Sequence, residues 1–373
     1  MIIVQLDESP PTARLSTLNR LLPVWIGAAM LLGIGLGRAF PDLDEQLEKV
    51  KIGTVSLPIA VGLLAMMYPV LAKVRYRSIG TVLTDRRPVI LALLVVWLIG
   101  PALMFTLAWL LLPDLPDYRT GVIIIGLAPC IAMVLIWIDL ASGNRELAAV
   151  LVAVNSIIQV VAFSLLGYFY LELLPGWLGL DSRGIDVSVS QIAKSVLVFL
   201  GIPLGAGYLT RTIGEARKGT VWYEQQFLPK IAPVALYGLL FTIVILFALQ
   251  GDRISNQPWD VARIALPLLA YFVLMWFTTF FIGMRLRLSY ESNVTVAFTA
   301  AGNNFELAIA VAISVFGVSS GQALAGVVGP LIEVPVLVSL VYVARWARRR
   351  FYPLRERHGI HGELQAARHH SIT

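Results

Sequence analysis

Residues 292–316, SNVTVAFTAAGNNFELAIAVAISVF, form an apolar run long enough to cross a bilayer, yet Gly302, Asn303 and Asn304 lie at its centre. Glycine is a poor helix former, and asparagine side chains compete for backbone hydrogen bonds. The run therefore predicts two half-helices separated by a break at membrane depth. Irregular backbone at that depth is tolerated only against protein or a watery cavity. We therefore expect this break to lie in the protein interior.

A second apolar run, residues 120–142, has the sequence TGVIIIGLAPCIAMVLIWIDLAS, with Pro129 near its centre. Proline has no backbone donor and its ring clashes with the preceding turn, so the helix should break or kink there. Cys130 follows directly. We expect it at the first turn of the second half-helix, where the positive end of the helix dipole favours a thiolate. Paired breaks of this kind indicate the binding site of a transporter.

The composition predicts that most of the chain lies in lipid. Apolar residues make up 58% of 373 positions, charged residues make up 14%, and the mean hydropathy is +0.79. The single cysteine excludes an intrachain disulfide. All four histidines fall in the last sixteen residues, which argues against a histidine-dependent metal or catalytic site in the membrane. The net charge of +6 is better explained by membrane topology than by nucleic-acid binding, since Lys and Arg lie in short loops and the tail.

A membrane-spanning helix needs about 20 apolar residues, and ten windows satisfy this. They are residues 21–39, 53–72, 88–112, 120–142, 147–174, 191–211, 231–250, 261–284, 292–316 and 321–347. The first is interpreted as a span and not as a removed signal peptide. Five windows per half give the second half the opposite orientation, as in an inverted repeat. The predicted fold is therefore all-α, with ten helices in two inverted five-helix repeats and crossed broken helices at the fourth and ninth spans.

The basic residues predict the orientation of the chain, and the apolar windows predict the segment boundaries. About three times as many Lys and Arg lie on the side of the termini as on the opposite side, which predicts cytoplasmic termini and a multi-pass protein of the cell membrane. The predicted segments are a cytoplasmic N-terminal segment (1–20), a first repeat (21–174), an extracytoplasmic linker (175–190), a second repeat (191–347) and a basic cytoplasmic tail (348–373).

Two intramembrane carboxyl groups are candidates for function. Glu306 follows the ninth-span break by two residues, and Glu333 lies in the tenth span between Pro330 and Pro335. A carboxylate at the bilayer centre is costly, so Glu306 should face the interior, protonated or paired. Glu333 is equally compatible with a second proton site and with a structural hydrogen bond.

Other polar and small residues give weaker signals. Asn155 and Gln159 share a face of the fifth span and suit either a cavity lining or contacts between helices. Asp139 suits a solvated or capping role. A glycine-rich face on the first span predicts close helix packing through Gly27, Gly33, Gly35 and Gly37.

Three segments resemble the arsenical-resistance efflux permeases of the bile acid, arsenite and riboflavin transporter superfamily. They are residues 126–137 (GLAPCIAMVLIW), 298–313 (FTAAGNNFELAIAVAI) and 320–337 (SGQALAGVVGPLIEVPVL). The resemblance implies a ten-span fold with crossed broken helices and export of arsenite in exchange for protons. It implies that Cys130 is the arsenic ligand and Glu306 the essential carboxylate. This chain departs from the family pattern at Pro129 and Ile138, where arginine and asparagine are common.

The resulting prediction is a secondary transporter, not an enzyme, that needs no cofactor and exports arsenite, with antimonite as a further candidate. Substrate contacts are assigned to Cys130, Asn303 and Asn304, and proton coupling to Glu306 and Glu333. The main alternative is a sodium-coupled transporter of a small organic anion on the same fold. A cysteine enzyme is disfavoured because no span contains a histidine partner for Cys130. A primary pump is disfavoured because the sequence has no nucleotide-binding motif. An optional ATPase subunit stays compatible with the sequence.

Overall fold

The computed structural model of the chain describes residues 22–40, 42–43, 50–52, 55–74, 85–131, 133–180 and 189–352. The helices, in chain order, are α1 (Leu22–Ala39), α2 (Leu57–Ala72), α3 (Arg87–Leu111), α4 (Pro116–Gly126), α5 (Val134–Leu140), α6 (Arg145–Trp177), α7 (Val189–Lys218), α8 (Thr220–Gly251, continuing to Asn256), α9 (Pro258–Arg285), α10 (Tyr290–Ala301), α11 (Phe305–Phe316) and α12 (Gly321–Phe351). The chain is thus built almost wholly from helices.

Each of the ten predicted windows contains helix, and in the described residues six helices are long and apolar enough to cross a membrane: α3, α6, α7, α8, α9 and α12. Helices α1, α2 and α11 are shorter but also apolar. The chain is accordingly a multi-pass membrane protein. The count of ten spans and the inverted repeat stay predictions. One feature was not predicted: two-residue strands, β1 (Lys51–Ile52) and β2 (Val55–Ser56), pair antiparallel before α2.

Several predictions fall on residues outside this description. They concern the N-terminal segment 1–20, the tail beyond residue 352 with its four histidines, and residues 181–188 of the predicted linker. The linker prediction also begins too early, because α6 continues through Pro175 and ends only at Trp177. The helix continues past the proline, because Pro175 lies in a helical turn that follows a π-helical turn over Phe169–Leu173.

Helices α1 and α2 each pack against α8, and these three helices form the first helix group. A Cβ on Gly33 would lie 2.6 Å from Phe247 Cβ of α8, and one on Gly37 would meet the backbone of Ala248. These two glycines therefore allow the close packing that the sequence predicted. The prediction was wrong for Gly27 and Gly35, where a Cβ would meet no atom of the described residues within 4 Å.

The second helix group comprises α3 to α6 and α9 to α12, and it contains both interrupted helices. Helix α7 joins the two groups, since its first part packs on α6 and α11 and its last part packs on α2. The helix that follows each pair of half-helices begins with a polar N-cap. Asn144 Oδ1 accepts from Leu147 N–H (2.9 Å) at α6, and Ser320 Oγ accepts from Ala323 N–H (3.1 Å) at α12. These caps fix the ends of the broken segments.

Candidate functional site

The two interruptions meet in the middle of the second helix group. Helix α4 ends at Gly126 and α5 begins at Val134, while α10 ends at Ala301 and α11 begins at Phe305. Pro129 and Asn303 pair as an antiparallel β-bridge. Cys130 N–H donates to Gly302 O (3.1 Å), and Asn304 N–H donates to Ala128 O (2.6 Å). The extended backbone of each break thus supplies hydrogen-bond partners to the backbone of the other. Backbone polar groups at membrane depth need such partners.

Asn303 adds a hydrogen bond to the carbonyl of Ile125, which also accepts from Ala128 N–H at 3.1 Å. In a continuous helix the carbonyl of Ile125 would accept a hydrogen bond from residue 129, but proline has no N–H. The side chain of Asn303 donates from Nδ2 to this carbonyl at 3.0 Å. The amide is buried, and its Oδ1 has no hydrogen-bond donor in the described part of the chain. Asn303 therefore holds the first break open and presents one bare acceptor.

Gln159 of α6 contacts both breaks. Its Nε2 donates to Pro129 O and its Oε1 accepts from Asn304 Nδ2, each at 3.4 Å. Asn304 is in turn the N-cap of α11, because its Oδ1 accepts from Leu307 N–H at 3.1 Å. In the sequence, Gln159 carried only a weak signal, as one of a pair with Asn155. The two residues have different partners in the fold. Asn155 Oδ1 accepts from Trp97 Nε1 at 3.0 Å and so links α6 to α3.

The position of Cys130 differs from the prediction. It lies in the extended segment of the bridge, four residues before α5, and not at the first turn of a half-helix. The helix-dipole argument for a thiolate therefore does not apply. Cys130 is 2% exposed, and a Cβ on Gly302 would lie 3.0 Å from Cys130 Cβ and 3.6 Å from Glu333 Oε1. The thiol, the second break and Glu333 are thus immediate neighbours.

Glu306 and Glu333 line a cavity of about 30 Å³ between the two helix groups. Met133 and Phe305 line the same side, and Thr242 of α8 lies among the residues from the first helix group. This volume holds roughly two water molecules. Glu333 is buried with no donor to Oε1 among the described residues, whereas Glu306 is partly exposed. The two carboxyl groups therefore share one small space at the boundary where the groups would separate.

Asp139 lies away from this site. Its Oδ1 accepts from Arg145 Nε (2.5 Å) near the ends of α5 and α6, so it forms an exposed ion pair. In the described residues no three His, Cys, Asp or Glu side chains come together as they would in a resident metal site. Sequence reasoning missed Met133 and Thr242, because only their packing across the cavity distinguishes them from ordinary span residues.

The close approach at Gly302 gives a testable prediction. Its φ of −79° suits any residue, so glycine is needed for space alone. We expect Gly302→Val to push Cys130 away and to lower the free energy of unfolding by roughly 1–3 kcal/mol, a typical cost of overpacking. Gly35→Val is the matched control, because no atom in the described part of the chain lies within 4 Å of a Cβ there. Thermal unfolding of both variants in detergent measures the difference, and equal midpoints would contradict the packing account.

Known proteins resemble the chain along most of its length. The model of the Sodium Bile acid symporter family matches residues 60–257. The arsenical-resistance protein Acr3 of Corynebacterium glutamicum is 55% identical over 341 residues, which cover 91% of this chain and 92% of that protein. An uncharacterized transporter of Synechocystis sp. is 37% identical over 350 residues, covering 89% of each chain. The Acr3 protein of Alkaliphilus metalliredigens is 34% identical over 343 residues, covering 89% of this chain and 94% of that protein.

These likenesses extend through both interrupted helices and match the resemblance found in the sequence. The chain therefore belongs to the Sodium Bile acid symporter family, a family of transporters and not of enzymes, together with the Acr3 arsenical-resistance proteins.

Proposed function

We propose that this protein exports arsenite from the cytoplasm across the cell membrane in exchange for protons, and so confers arsenic resistance. The observation that carries the proposal is the position of Cys130. The only thiol of the chain is held by backbone hydrogen bonds at the crossing of two broken helices, beside the buried carboxyl group of Glu333. The two Acr3 relatives are arsenical-resistance proteins, which supports arsenic as the substrate.

A single thiol suits transport of trivalent arsenic. Arsenous acid is small and largely uncharged at neutral pH, so the site needs no compensating charge to admit it. A soft sulfur ligand distinguishes arsenic from water and alkali cations. One arsenic–sulfur bond holds the substrate weakly enough to release it, whereas three thiolates would form a closed cage. Antimonite has the same preference for sulfur and is a second proposed substrate.

Proton coupling is assigned to Glu306 and Glu333. Buried carboxylates at membrane depth are costly when ionised, so each protonation change alters the energy of the site. Both groups border the cavity between the helix groups, where movement of one group against the other would change their access to water. Proton entry would then accompany arsenic exit.

The present state is closed to a substrate. The cavity of about 30 Å³ is too small for a molecule with several heavy atoms. On the side opposite the termini in the proposed topology, Gln250 Nε2 of α8 donates to Val318 O (2.6 Å) and connects the two helix groups. Substrate passage therefore requires the groups to separate. We place both termini in the cytoplasm and propose ten spans in two inverted repeats, in keeping with helix in every predicted window and the antiparallel crossing.

Sodium-coupled transport of an organic anion is the second candidate. The match to the Sodium Bile acid symporter family favours it. Two acceptors that lack a donor among the described residues, Asn303 Oδ1 and Glu333 Oε1, also favour it, because they suit a cation as well as a proton. It is weakened by the break carbonyls of Ile125, Ala128 and Pro129, which already accept hydrogen bonds from Asn303, Asn304 and Gln159.

Arsenite uptake by everted membrane vesicles distinguishes the two candidates. The proposal predicts uptake that follows an imposed proton gradient, is abolished by a protonophore and is the same with sodium or choline salts. Uptake that requires sodium, or none at all together with sodium-dependent flux of an organic anion, would favour the second candidate. Vesicles from cells without the protein give the background.

Asp114 provides a negative control for the pH dependence. It lies in the loop between α3 and α4, and hydrogen bonding from the Arg263 guanidinium, with NH1 2.8 Å from Oδ2, lowers the pKa of Asp114 to about 2. Any stability from this ionisation is present above the ordinary value of about 3.9 and is lost only as pH falls through about 2. We therefore expect Asp114→Asn to leave the pH profile of vesicle uptake between weakly acid and neutral pH unchanged. A shifted profile would place a coupling group at this surface.

A further inference from the structure

A second cavity lies at the junction of α7 and α8, far along both helices from the broken segments. Its volume is about 460 Å³, within the range of roughly 300–1,000 Å³ of small-ligand pockets. Most of its lining is apolar, from Leu209 and Ile213 of α7 and from Trp222 and Phe227 of α8. Two cations, Arg217 and Lys218, line it where α7 ends. The cavity thus combines an apolar interior with a basic edge.

The ionic groups behind the cavity are already paired. Arg211 binds Glu215 (2.8 Å) and Glu224 (2.9 Å), and its NH1 donates to Lys73 O at 3.1 Å. Tyr223, whose ring forms part of the lining, donates from its hydroxyl to Ala72 O at 3.1 Å. These bonds use both nearby carboxylates and fix the end of α2. The cluster is therefore a rigid wall and does not offer its charge to a ligand.

Arg217 and Lys218 are in a different situation. Both side chains are exposed, and within the described ranges neither lies within 4 Å of a carboxylate. Lys218 Nζ lies 4.4 Å from the centroid of the Trp222 ring, which keeps the ammonium group at the cavity. Two adjacent cations without an acidic partner favour an anion.

The cavity lies at the level of the membrane surface. Helix α7 has 30 residues, more than the roughly 20 that cross the hydrocarbon core, so its last turns extend into the headgroup region. Leu209 and Ile213 are 56% and 48% exposed, as expected for side chains that face lipid tails. Trp and Tyr are typical of this interface, and the side of the termini is the one rich in Lys and Arg.

We propose that this cavity binds one anionic phospholipid of the leaflet on the side of the termini. An acyl chain occupies the apolar part between α7 and α8, and Arg217 and Lys218 bind the phosphate. The lipid then fills the space between α7, which joins the two helix groups, and α8 of the first group. This site is independent of Cys130 and of the substrate that the protein carries.

Native mass spectrometry of the full chain, purified in detergent and titrated with phosphatidylglycerol or with phosphatidylcholine of the same acyl chains, tests the proposal. We expect the wild type to bind phosphatidylglycerol more tightly. The double variant Arg217→Gln, Lys218→Gln should lower that affinity by roughly 30-fold, as expected for two charges near an anionic headgroup. Arg349→Gln with Arg350→Gln removes the same charge from the exposed end of α12 and should leave it unchanged.

Ala206→Phe tests the cavity itself, because it adds a ring to the lining without changing the charge. We expect it to weaken binding of both lipids while its thermal unfolding midpoint stays near that of the wild type. Three results would overturn the proposal: equal affinity of the wild type for the two lipids, equal losses in the two double variants, or full phosphatidylglycerol binding by a folded Ala206→Phe protein. Equal losses would mean that only the general basic charge attracts lipid.

Discussion

Cys130→Ser is expected to reduce arsenite uptake by everted vesicles to the background of vesicles without the protein. The serine oxygen is a hard ligand and cannot replace the arsenic–sulfur bond. The backbone at this position would be retained, because Cys130 N–H donates to Gly302 O in the bridge. Serine also adds a hydroxyl group in a buried position, so Cys130→Ala serves as a second variant without a new polar group.

The matched control for the thiol is Met133→Leu. Met133 lines the cavity beside Glu306, and leucine preserves its volume approximately while it removes a sulfur atom. We expect this variant to transport arsenite as the wild type does. Normal uptake by Cys130→Ser, or an equal loss in Met133→Leu, would show that the thiol has no special role.

Glu306→Gln is expected to abolish uptake driven by a proton gradient. Glutamine keeps the shape of the side chain but cannot exchange a proton, so any remaining arsenite flux should no longer depend on pH. Glu306→Asp keeps the carboxyl group and shortens the side chain by one methylene. We expect it to transport more slowly but to retain a pH dependence. Uptake as a function of pH in vesicles, normalised to the amount of protein, measures both variants.

The same experiment with Glu333→Gln separates the two roles considered for that residue. Loss of pH dependence would make Glu333 a second coupling group, and a lower thermal stability with unchanged pH dependence would make it structural. Wild-type uptake with an unchanged pH profile in Glu306→Gln would exclude Glu306 as the coupling carboxylate.

The helices were predictable because hydropathy reports contact with lipid. Each of the ten windows contains helix, with limits that differ by a few residues in most cases. The largest difference is α8, which was predicted to begin at residue 231 and begins at Thr220. Its first turns contain Glu224 and other polar residues, so a hydropathy window excludes them. Hydropathy cannot detect a helix that extends beyond the hydrocarbon core.

The two breaks differ in how far the sequence could describe them. Asn304 caps α11, so the chain returns to helix after three residues. No side chain caps the start of α5, and the described residues Cys130, Ile131 and Met133 are not helical. Proline indicates where a helix ends, but the start of the next helix needs a separate signal. The expected helical position of Cys130 was wrong for this reason.

The contacts across the site could not be derived from the sequence. Gln159 reaches Pro129 from 30 residues away, and Asn303 reaches Ile125 from 178 residues away. Such pairs depend on how the helices cross, and local periodicity carries no information about crossing. The candidate residues themselves were recognisable, because polar groups and helix breakers are costly in a membrane and therefore conspicuous.

X-ray absorption at the arsenic K-edge, recorded on the purified protein with arsenite, tests most directly whether the crossing of the two breaks is the substrate site. The account predicts one sulfur neighbour of arsenic in the wild type, retained in Met133→Leu and replaced by oxygen in Cys130→Ser. Oxygen neighbours alone in the wild type, or a sulfur neighbour that persists in Cys130→Ser, would contradict it.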